Sequence, residues 1–296
     1  MKSLVFIGNE QISSTRTPTR MPILQRLIQD GYTIEKIILK GKPQKSRKPR
    51  SSPVTDLAQN HNIPLSRVAT KEELVMEVTS STSSLAILVA FGMIVPQKAI
   101  DHFPLGIINV HPSLLPKYRG STPIEAAILN DDQQTGVSIM ALSAGMDEGD
   151  IFGFALHDIE PLISKAELTQ QLGDLSAELL SSLLPDMFGG SLNPMPQDHT
   201  QATYTNMLGR EDAPLDASKS ADYLQRKIRA HLDWPGSKIV YKGTPITILS
   251  ANASCEQGDV DDCIEVDALD SKLYINRLRP DNGKEMSAKD FINGYV

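Results

Sequence analysis

Several features that mark large classes of protein are missing from this 296-residue chain. No apolar stretch reaches the roughly 18–20 residues that a membrane-spanning helix needs, and the apolar run after Met1 is too short for a signal peptide. The two cysteines, Cys255 and Cys263, form no C-x-x-C pair and are predicted to act as small apolar side chains. We therefore expect a cytoplasmic protein with no membrane partner and no disulfide framework.

An excess of positive charge is also missing. The 29 lysines and arginines are outnumbered by 36 aspartates and glutamates, which gives a formal net charge of −7. This balance argues against a protein that coats nucleic acid over its whole surface. It leaves room for a local basic patch, because a polyanion responds to the local field and not to the total charge.

Common phosphate, metal and nucleophile motifs are absent as well. The first apolar run is followed by Gly8-Asn9-Glu10-Gln11, where a dinucleotide-binding protein would carry G-x-G-x-x-G. The sequence contains no G-x-x-x-x-G-K-[ST], no H-E-x-x-H and no G-x-S-x-G. These absences weaken dinucleotide, ATP, zinc-protease and serine-hydrolase interpretations.

Short apolar runs alternate with helical patterns through the first half of the chain. Runs at residues 4–7, 34–39, 65–69, 85–91 and 105–110 are typical of strands buried on both faces, with helices predicted between them. Such alternation predicts an α/β fold with a doubly wound, Rossmann-like, mostly parallel sheet. In such a sheet, ligands bind beyond the carboxyl ends of the strands.

The composition changes at Gly189-Gly190, and residues 190–207 are rich in proline and polar side chains. We interpret this stretch as a linker. A helix is predicted over residues 218–231, with Ser218 as its N-cap. Short strands at 238–241, 245–249, 263–266 and 273–278 then predict a small OB-like β-barrel. The expected organisation is a catalytic domain at 1–189, the linker at 190–207 and a C-terminal domain at 208–296.

Two polar side chains lie at the end of one apolar run. Asn109 and His111 are two residues apart, so period-2 alternation places them on one face at the carboxyl end of a strand. Taken singly, Asn109 could cap a loop and His111 could be a hydrogen-bonded core residue. The loop that follows contains three prolines and Gly120, so it is stiff, and together these features favour a site.

A second polar element joins two later apolar runs at residues 143–150, with three acidic residues and two glycines. It could be a plain turn. As part of a site, it could bring the Asp147 carboxylate to His111, which would fix the imidazole tautomer and stabilise its charged form.

These elements together resemble the folate-dependent formyltransferases. The pattern Asn-x-His-x-Ser-Leu-Leu-Pro-x-x-Arg-Gly-x-x-Pro is followed by Thr-Gly-Val and then by Met-Asp-x-Gly-Asp. The resemblance implies that a formyl group is transferred from 10-formyltetrahydrofolate to an amine, with Asn109, His111 and Asp147 as catalytic residues. Asn109 and a protonated His111 would stabilise the developing oxyanion, and Asp147 would keep His111 cationic and relay a proton.

The resemblance also implies where the folate binds. It points to the loop after Asn109 and to the turn at residues 90–96, which resembles the wall of a pterin pocket. The implied folate-binding residues are Ser113, Leu114, Leu115, Pro116, Phe91, Gly92 and Ile94.

The acceptor is open at this point, because members of this family formylate methionyl-tRNA, amino-sugar nucleotides and other small amines. Residues 40–50 carry six basic residues and no acid, and they align with the tRNA-binding insertion of the family. A solvated charge run is the alternative interpretation. The implied tRNA-binding residues are Lys40, Lys42, Lys45, Arg47, Lys48 and Arg50.

We therefore expect initiator methionyl-tRNA as the acceptor, for translation initiation, in a monomeric enzyme without a metal. One departure concerns the turn after Gly8, where the tRNA enzymes show Gly-Thr-Pro-x-Phe and this chain has a longer and more polar sequence.

Overall fold

The computed structural model describes residues 2–8, 22–41, 52–254 and 262–295, which divide into two compact units. Within the described residues, no helix is long and apolar enough to cross a membrane. The first unit comprises Met1–Pro123, Gln134–Asp158 and Thr169–Asn206. The second comprises Ile124–Gln133, Ile159–Leu168 and Met207–Val296.

The first unit is built on a seven-stranded sheet and a separate pair of short strands. In chain order, its described strands are Ser3–Gly8 (β1), Thr33–Lys40 (β2), Leu65–Val68 (β3), Leu85–Val89 (β4), Ile107–His111 (β5), Arg119–Gly120 (β6), Gln134–Ala141 (β7), Ile151–Asp158 (β8) and Tyr204–Thr205 (β9). The spatial order of the large sheet is β3-β2-β1-β4-β5-β7-β8, and β6 pairs with β9. The first five strands of the sheet are parallel, and β7 and β8 are antiparallel additions. The predicted Rossmann-like, mostly parallel sheet is therefore confirmed.

Helices alternate with these strands along the chain. They are Pro22–Gln29 (α1), Pro53–Asn60 (α2), Lys71–Thr79 (α3), Gln97–Ile100 (α4), Pro123–Leu129 (α5) and Lys165–Gly189 (α6). Most of α5 and the first turn of α6 belong to the second unit. Local sequence sets their ends: the Thr70 hydroxyl accepts from the Glu73 N–H, and the Glu73 carboxylate accepts from the Thr70 N–H, which forms a capping box. Leu74 and Val78 of α3 pack on the buried strands β1, β2 and β4. Strands β4 and β5 are paired and parallel, so their carboxyl ends lie side by side.

The second unit contains an antiparallel sheet packed against two helices. Its elements after residue 207 include Ala221–Ala230 (α7), Ser237–Tyr241 (β10), Thr244–Asn252 (β11), Ile264–Asp267 (β12), Lys272–Pro280 (β13), Met286–Ser287 (β14) and Ala288–Tyr295 (α8). The strand order is β10-β11-β13-β12, with β14 added on β13. Leu224 and Phe291 from the helices share a core with Ile246, Ile248 and Ile275 from the strands. The predicted C-terminal β module is thus confirmed.

One detail of this unit corrects the sequence analysis. Ser218 is not the N-cap of α7, because its N–H donates to the Asp216 carboxylate in a preceding turn, at 3.0 Å. The helix begins at Ala221, and the hydroxyl of Ser220 accepts from the N–H of Tyr223 at 3.2 Å. Ser218 and Ser220 both lie within three residues of the helix start, and Ser218 is engaged in the turn formed by Asp216. Among the described residues, Cys263 is buried and forms no disulfide, and its Sγ accepts a hydrogen bond from Asn276 Nδ2 at 3.2 Å. Cys255 lies outside the described residues.

Candidate active site

Asn109 and His111 lie on the same face of β5, where the strand reaches the edge of the sheet. Both side chains are nearly fully buried. Asn109 is in register with Leu88 on β4 and Met140 on β7, and His111 is opposite Ser138. The two polar groups therefore sit at the carboxyl end of the parallel strands, where ligands of such sheets bind.

Asp147 comes to these two side chains from the turn between β7 and β8. Its backbone is left-handed, with φ +50°. Asn109 Nδ2 donates to Asp147 Oδ1 at 3.3 Å, and the N–H of Gly120 donates to Oδ2 at 2.8 Å. His111 Nδ1 lies 3.7 Å from the same Oδ2, which is an ion-pair distance and not a hydrogen bond. The three residues that sequence analysis assigned to catalysis are thus brought together.

The tautomer of His111 follows from its second ring nitrogen. Nε2 lies 2.9 Å from the carbonyl oxygen of Tyr118, and a carbonyl oxygen only accepts, so Nε2 carries a hydrogen. Tyr118 has a left-handed backbone, with φ +59°, and its N–H donates to Thr203 Oγ1 at 2.8 Å. Nδ1 is therefore the nitrogen left to exchange a proton on the side of Asp147.

A fully buried arginine lies next to the Asp147 turn. The guanidinium of Arg119 donates to Gln197 Oε1 from Nε at 3.1 Å and from Nη2 at 2.7 Å. Its Nη1 donates to the hydroxyl of Tyr204 at 3.2 Å and lies 3.7 Å from the carboxylate of Glu148. Its Nη2 also donates to Nδ1 of His199 at 3.0 Å. These partners compensate the loss of hydration of a buried charge.

Gln197 connects this arginine to the backbone beside Asp147. Its Nε2 donates to the carbonyl oxygens of Asp147 at 2.9 Å and Gly149 at 2.7 Å, while its Oε1 accepts from Arg119. One buried amide thus satisfies two carbonyl groups of the catalytic turn and one guanidinium. The position of Asp147 depends on this amide as well as on Asn109 and Gly120.

The pairing of β6 with β9 completes this support. Gly120 has φ +105°, and a Cβ at this position would lie 2.4 Å from the carbonyl oxygen of Thr205. The backbones approach so closely that only glycine fits. Residues 197–205, inside the stretch interpreted as a linker, therefore contribute directly to the site.

The loop after His111 is also held by buried hydrogen bonds. Ser138 Oγ donates to the carbonyl oxygen of Ser113 at 2.8 Å and accepts from the N–H of Leu115 at 3.1 Å. Ser113 Oγ donates to the carbonyl oxygen of Lys117 at 2.6 Å. Ser138 thereby ties the loop to β7, the strand that leads to Asp147.

Comparison with known proteins matches both parts of the chain to one family. Residues 13–184 match the model described as formyl transferase, and residues 207–296 match that of the formyl transferase C-terminal domain. The chain belongs to the formyl transferase family. It is 33% identical to a methionyl-tRNA formyltransferase of Koribacter versatilis and 31% identical to one of Bacillus subtilis. Each alignment covers 99% of this chain and 95% of the relative.

Solved structures share the fold at lower identity. An N-formyltransferase from Helicobacter canadensis, in complex with folinic acid and dTDP-3-aminofucose, is 17% identical with a TM-score of 0.70, over 93% of this chain and 99% of that one. HypX from Aquifex aeolicus, in complex with tetrahydrofolic acid, is 15% identical with a TM-score of 0.66. The alignment covers 98% of this formyl transferase and 46% of HypX, so the chain spans about half the length of HypX.

The residues assigned to folate binding lie in the turns after the adjacent strands β4 and β5, but they differ in exposure. The side chain of Phe91 is in the hydrophobic core, and those of Ser113 and Leu115 are buried in the protein. Ile94 is 72% exposed, and Gly92, with φ +66°, also lies at the surface. Gly92, Ile94, Leu114 and Pro116 therefore keep some exposed surface, while the other three residues are buried within the turns.

Lys40 is the one residue of the basic loop assignment that the structure describes, at the end of β2. Its Nζ donates to the carbonyl oxygen of Gly92, in the turn after β4. The other five basic residues, Lys42, Lys45, Arg47, Lys48 and Arg50, lie outside the described residues. Over the described ranges, no group of three or more His, Cys, Asp or Glu side chains is placed to hold a metal ion.

Sequence reasoning missed the residues that hold the site in place. Arg119 was visible in the Arg-Gly pair of the motif, but its burial was not. Gln197 and Ser138 carried no local signal, because a buried amide or hydroxyl in an irregular or apolar segment has no periodic pattern. Their roles depend on contacts between distant parts of the chain.

Proposed function

We propose that this formyl transferase moves the formyl group of 10-formyltetrahydrofolate to the α-amino group of initiator methionyl-tRNA. The observation that supports this most is the convergence of Asn109, His111 and Asp147 at the end of β5. The names of the relatives that match over 99% of the chain support the acceptor.

His111 acts through Nδ1 in this proposal. Its Nε2 hydrogen is engaged by the Tyr118 carbonyl, so Nδ1 is the position that can receive a proton and return it. When protonated, Nδ1 donates a hydrogen bond to the oxygen on which charge develops as the amine attacks the formyl carbon. Asp147, 3.7 Å away, stabilises that cationic form.

Asn109 supplies a second donor through its amide. Its Nδ2 already donates to Asp147, and the same N–H₂ has two hydrogens. One hydrogen maintains the contact with Asp147 while the other points to the reacting oxygen. A free α-amine has a pKa near 8, so much of the acceptor is neutral at physiological pH, and stabilising the oxyanion is the larger task.

The residues at the ends of β4 and β5 suit a flat heterocycle. Ile94 offers apolar surface, and two residues before it lies the exposed backbone of Gly92, whose carbonyl oxygen accepts from Lys40. Leu114 and Pro116 follow in the turn after β5, and both are partly exposed. When bound there, 10-formyltetrahydrofolate supplies the activated formyl group.

The basic loop supports the tRNA acceptor. Six basic residues without an acid over residues 40–50 are suited to contact phosphates, which would make binding depend on salt. We place the enzyme in the cytoplasm, where charged initiator tRNA is used, and propose that it acts as a monomer. We propose a catalytic domain at 1–189 and a C-terminal domain at 208–296, joined by a linker at 190–207 that itself contributes residues 197–205 to the site.

One assay tests the acceptor. The protein is incubated with 10-formyltetrahydrofolate and radiolabelled methionyl-tRNA, and formylmethionine is measured after mild hydrolysis of the ester. A dTDP-amino sugar is offered in parallel. We expect formylation of methionyl-tRNA, with kcat/KM falling steeply as salt rises. Formylation of the amino sugar alone would replace this acceptor with the small-molecule alternative.

A further inference from the structure

We infer that Tyr204 is a stacking platform for a nucleobase of the acceptor, a binding subsite beside the catalytic residues. The inference rests on the proposed function, because it needs an acceptor that carries a nucleoside close to its amine. The proposed ligand of Tyr204 is the base of the terminal nucleoside to which the aminoacyl group is esterified.

Tyr204 is an exposed aromatic residue with an unusually fixed position. The side chain is 62% exposed, yet its hydroxyl accepts a hydrogen bond from Arg119 Nη1, and the Arg119 guanidinium carbon lies 5.9 Å from the ring centroid. Arg119 is itself fully buried and held by Gln197. An exposed ring that is already ordered loses little entropy when a ligand stacks on it.

The ring also lies near the reacting groups. Tyr204 is in register with Arg119 in the β6–β9 pair, and the next residue along β6, Gly120, donates its N–H to Asp147. Neighbouring strands are about 4.8 Å apart and successive residues about 3.3 Å, so the backbone of Tyr204 lies roughly 6 Å from that of Gly120, which donates to Asp147.

This separation matches the chemistry of an aminoacyl ester. Seven bonds lead from the α-amine through the ester to the base, which at bond lengths of about 1.3–1.5 Å span roughly 8 Å when extended. A base at that distance from an amine that reacts beside Asn109, His111 and Asp147 reaches the neighbourhood of the Tyr204 ring. Stacking on an aromatic ring is a sequence-tolerant way to bind a base, and an arginine behind the ring adds to it.

The test compares two acceptors and three enzymes. Methionyl-tRNA ending in adenosine and the same molecule ending in an abasic ribose are assayed with the wild type, Tyr204→Phe and Tyr204→Leu. The wild type should prefer the intact end by roughly ten- to hundredfold in kcat/KM. Tyr204→Phe keeps the ring and should retain most of that preference, while Tyr204→Leu should lose it. The KM for the folate donor should stay the same in all three.

Two outcomes would overturn the inference. Tyr204→Leu could discriminate between the two ends as well as the wild type does, or it could lose activity equally on both, which would show a structural role only. If the wild type formylated neither methionyl-tRNA, the proposed function would fail as well. If it formylated a dTDP-amino sugar instead, both the proposed acceptor and the terminal nucleoside as the ligand of Tyr204 would be wrong.

Discussion

Gln197 offers the sharpest test of how the catalytic turn is held, because its one amide makes four hydrogen bonds to three groups. Gln197→Met keeps the length of the side chain and removes all four bonds. It leaves the Asp147 and Gly149 carbonyls without these donors and the buried Arg119 guanidinium without this acceptor.

The expected loss in stability follows from those bonds. Two neutral bonds contribute about 1 kcal/mol each, and loss of an acceptor for a buried charge costs roughly 1.5–3 kcal/mol, so unfolding should become easier by about 3–5 kcal/mol. In addition, kcat should fall by roughly ten- to hundredfold, since a displacement of about 1 Å at Asp147 misplaces the trio. Thermal unfolding and steady-state formylation at 20 °C measure the two effects.

Gln197→Glu is the matched control. A carboxylate still accepts from Arg119, and so should retain the part of the stability that comes from this buried charge, but it cannot donate to the two carbonyls of the turn. We expect this variant to be folded and to lose kcat, because the two carbonyls of the turn no longer have their donor. If both variants kept kcat within twofold of the wild type, Gln197 would only be a stabilising residue and the reasoning would be refuted.

Three further predictions concern other parts of the chain. His111→Gln can still donate to the Tyr118 carbonyl but has no group at the Nδ1 position, so kcat should fall 10²- to 10⁴-fold with little change in melting temperature, and retained turnover would contradict the assignment. Burial and the neighbouring Lys227 lower the pKa of His231 to about 4, so below pH 6.5 the unfolded chain binds a proton at this residue and the folded chain does not. The free energy of unfolding should therefore drop by up to about 3 kcal/mol between pH 6.5 and 4. Denaturant titrations of His231→Gln should lack this pH-dependent loss. Lys40→Met removes the bond to the Gly92 carbonyl, so the KM for 10-formyltetrahydrofolate should rise several-fold; a change confined to the salt dependence of tRNA binding would assign Lys40 to tRNA alone.

The large sheet was predictable because a strand buried on both faces must be apolar along its whole length. All five parallel strands were predicted within two residues of their observed ends. The β4 prediction was too long, since Ala90 turns into the left-handed region at φ +46° and ends the strand although its sequence stays apolar.

The site was predictable only in part, because a local sequence pattern reveals strands but not contacts between distant residues. The alternation of apolar and polar residues reveals the strands, and the strand ends in turn locate Asn109, His111 and Asp147. The strands β6 and β9 are each two residues long and are separated by 85 residues in the sequence, so no local pattern predicts their pairing. The contacts of Gln197 and Tyr204 follow from that pairing and were therefore beyond the sequence alone.

The β6–β9 pairing also bears on the order in which the active centre is assembled. Asn109, His111 and Asp147 are synthesised well before Gln197, Thr203 and Thr205, which hold the catalytic turn and the Tyr118 segment. A fragment that stops at residue 189 would carry every residue assigned to chemistry and still lack this clamp. We therefore expect a nascent chain to become competent for formyl transfer only after the stretch beyond α6 has left the ribosome and formed these contacts.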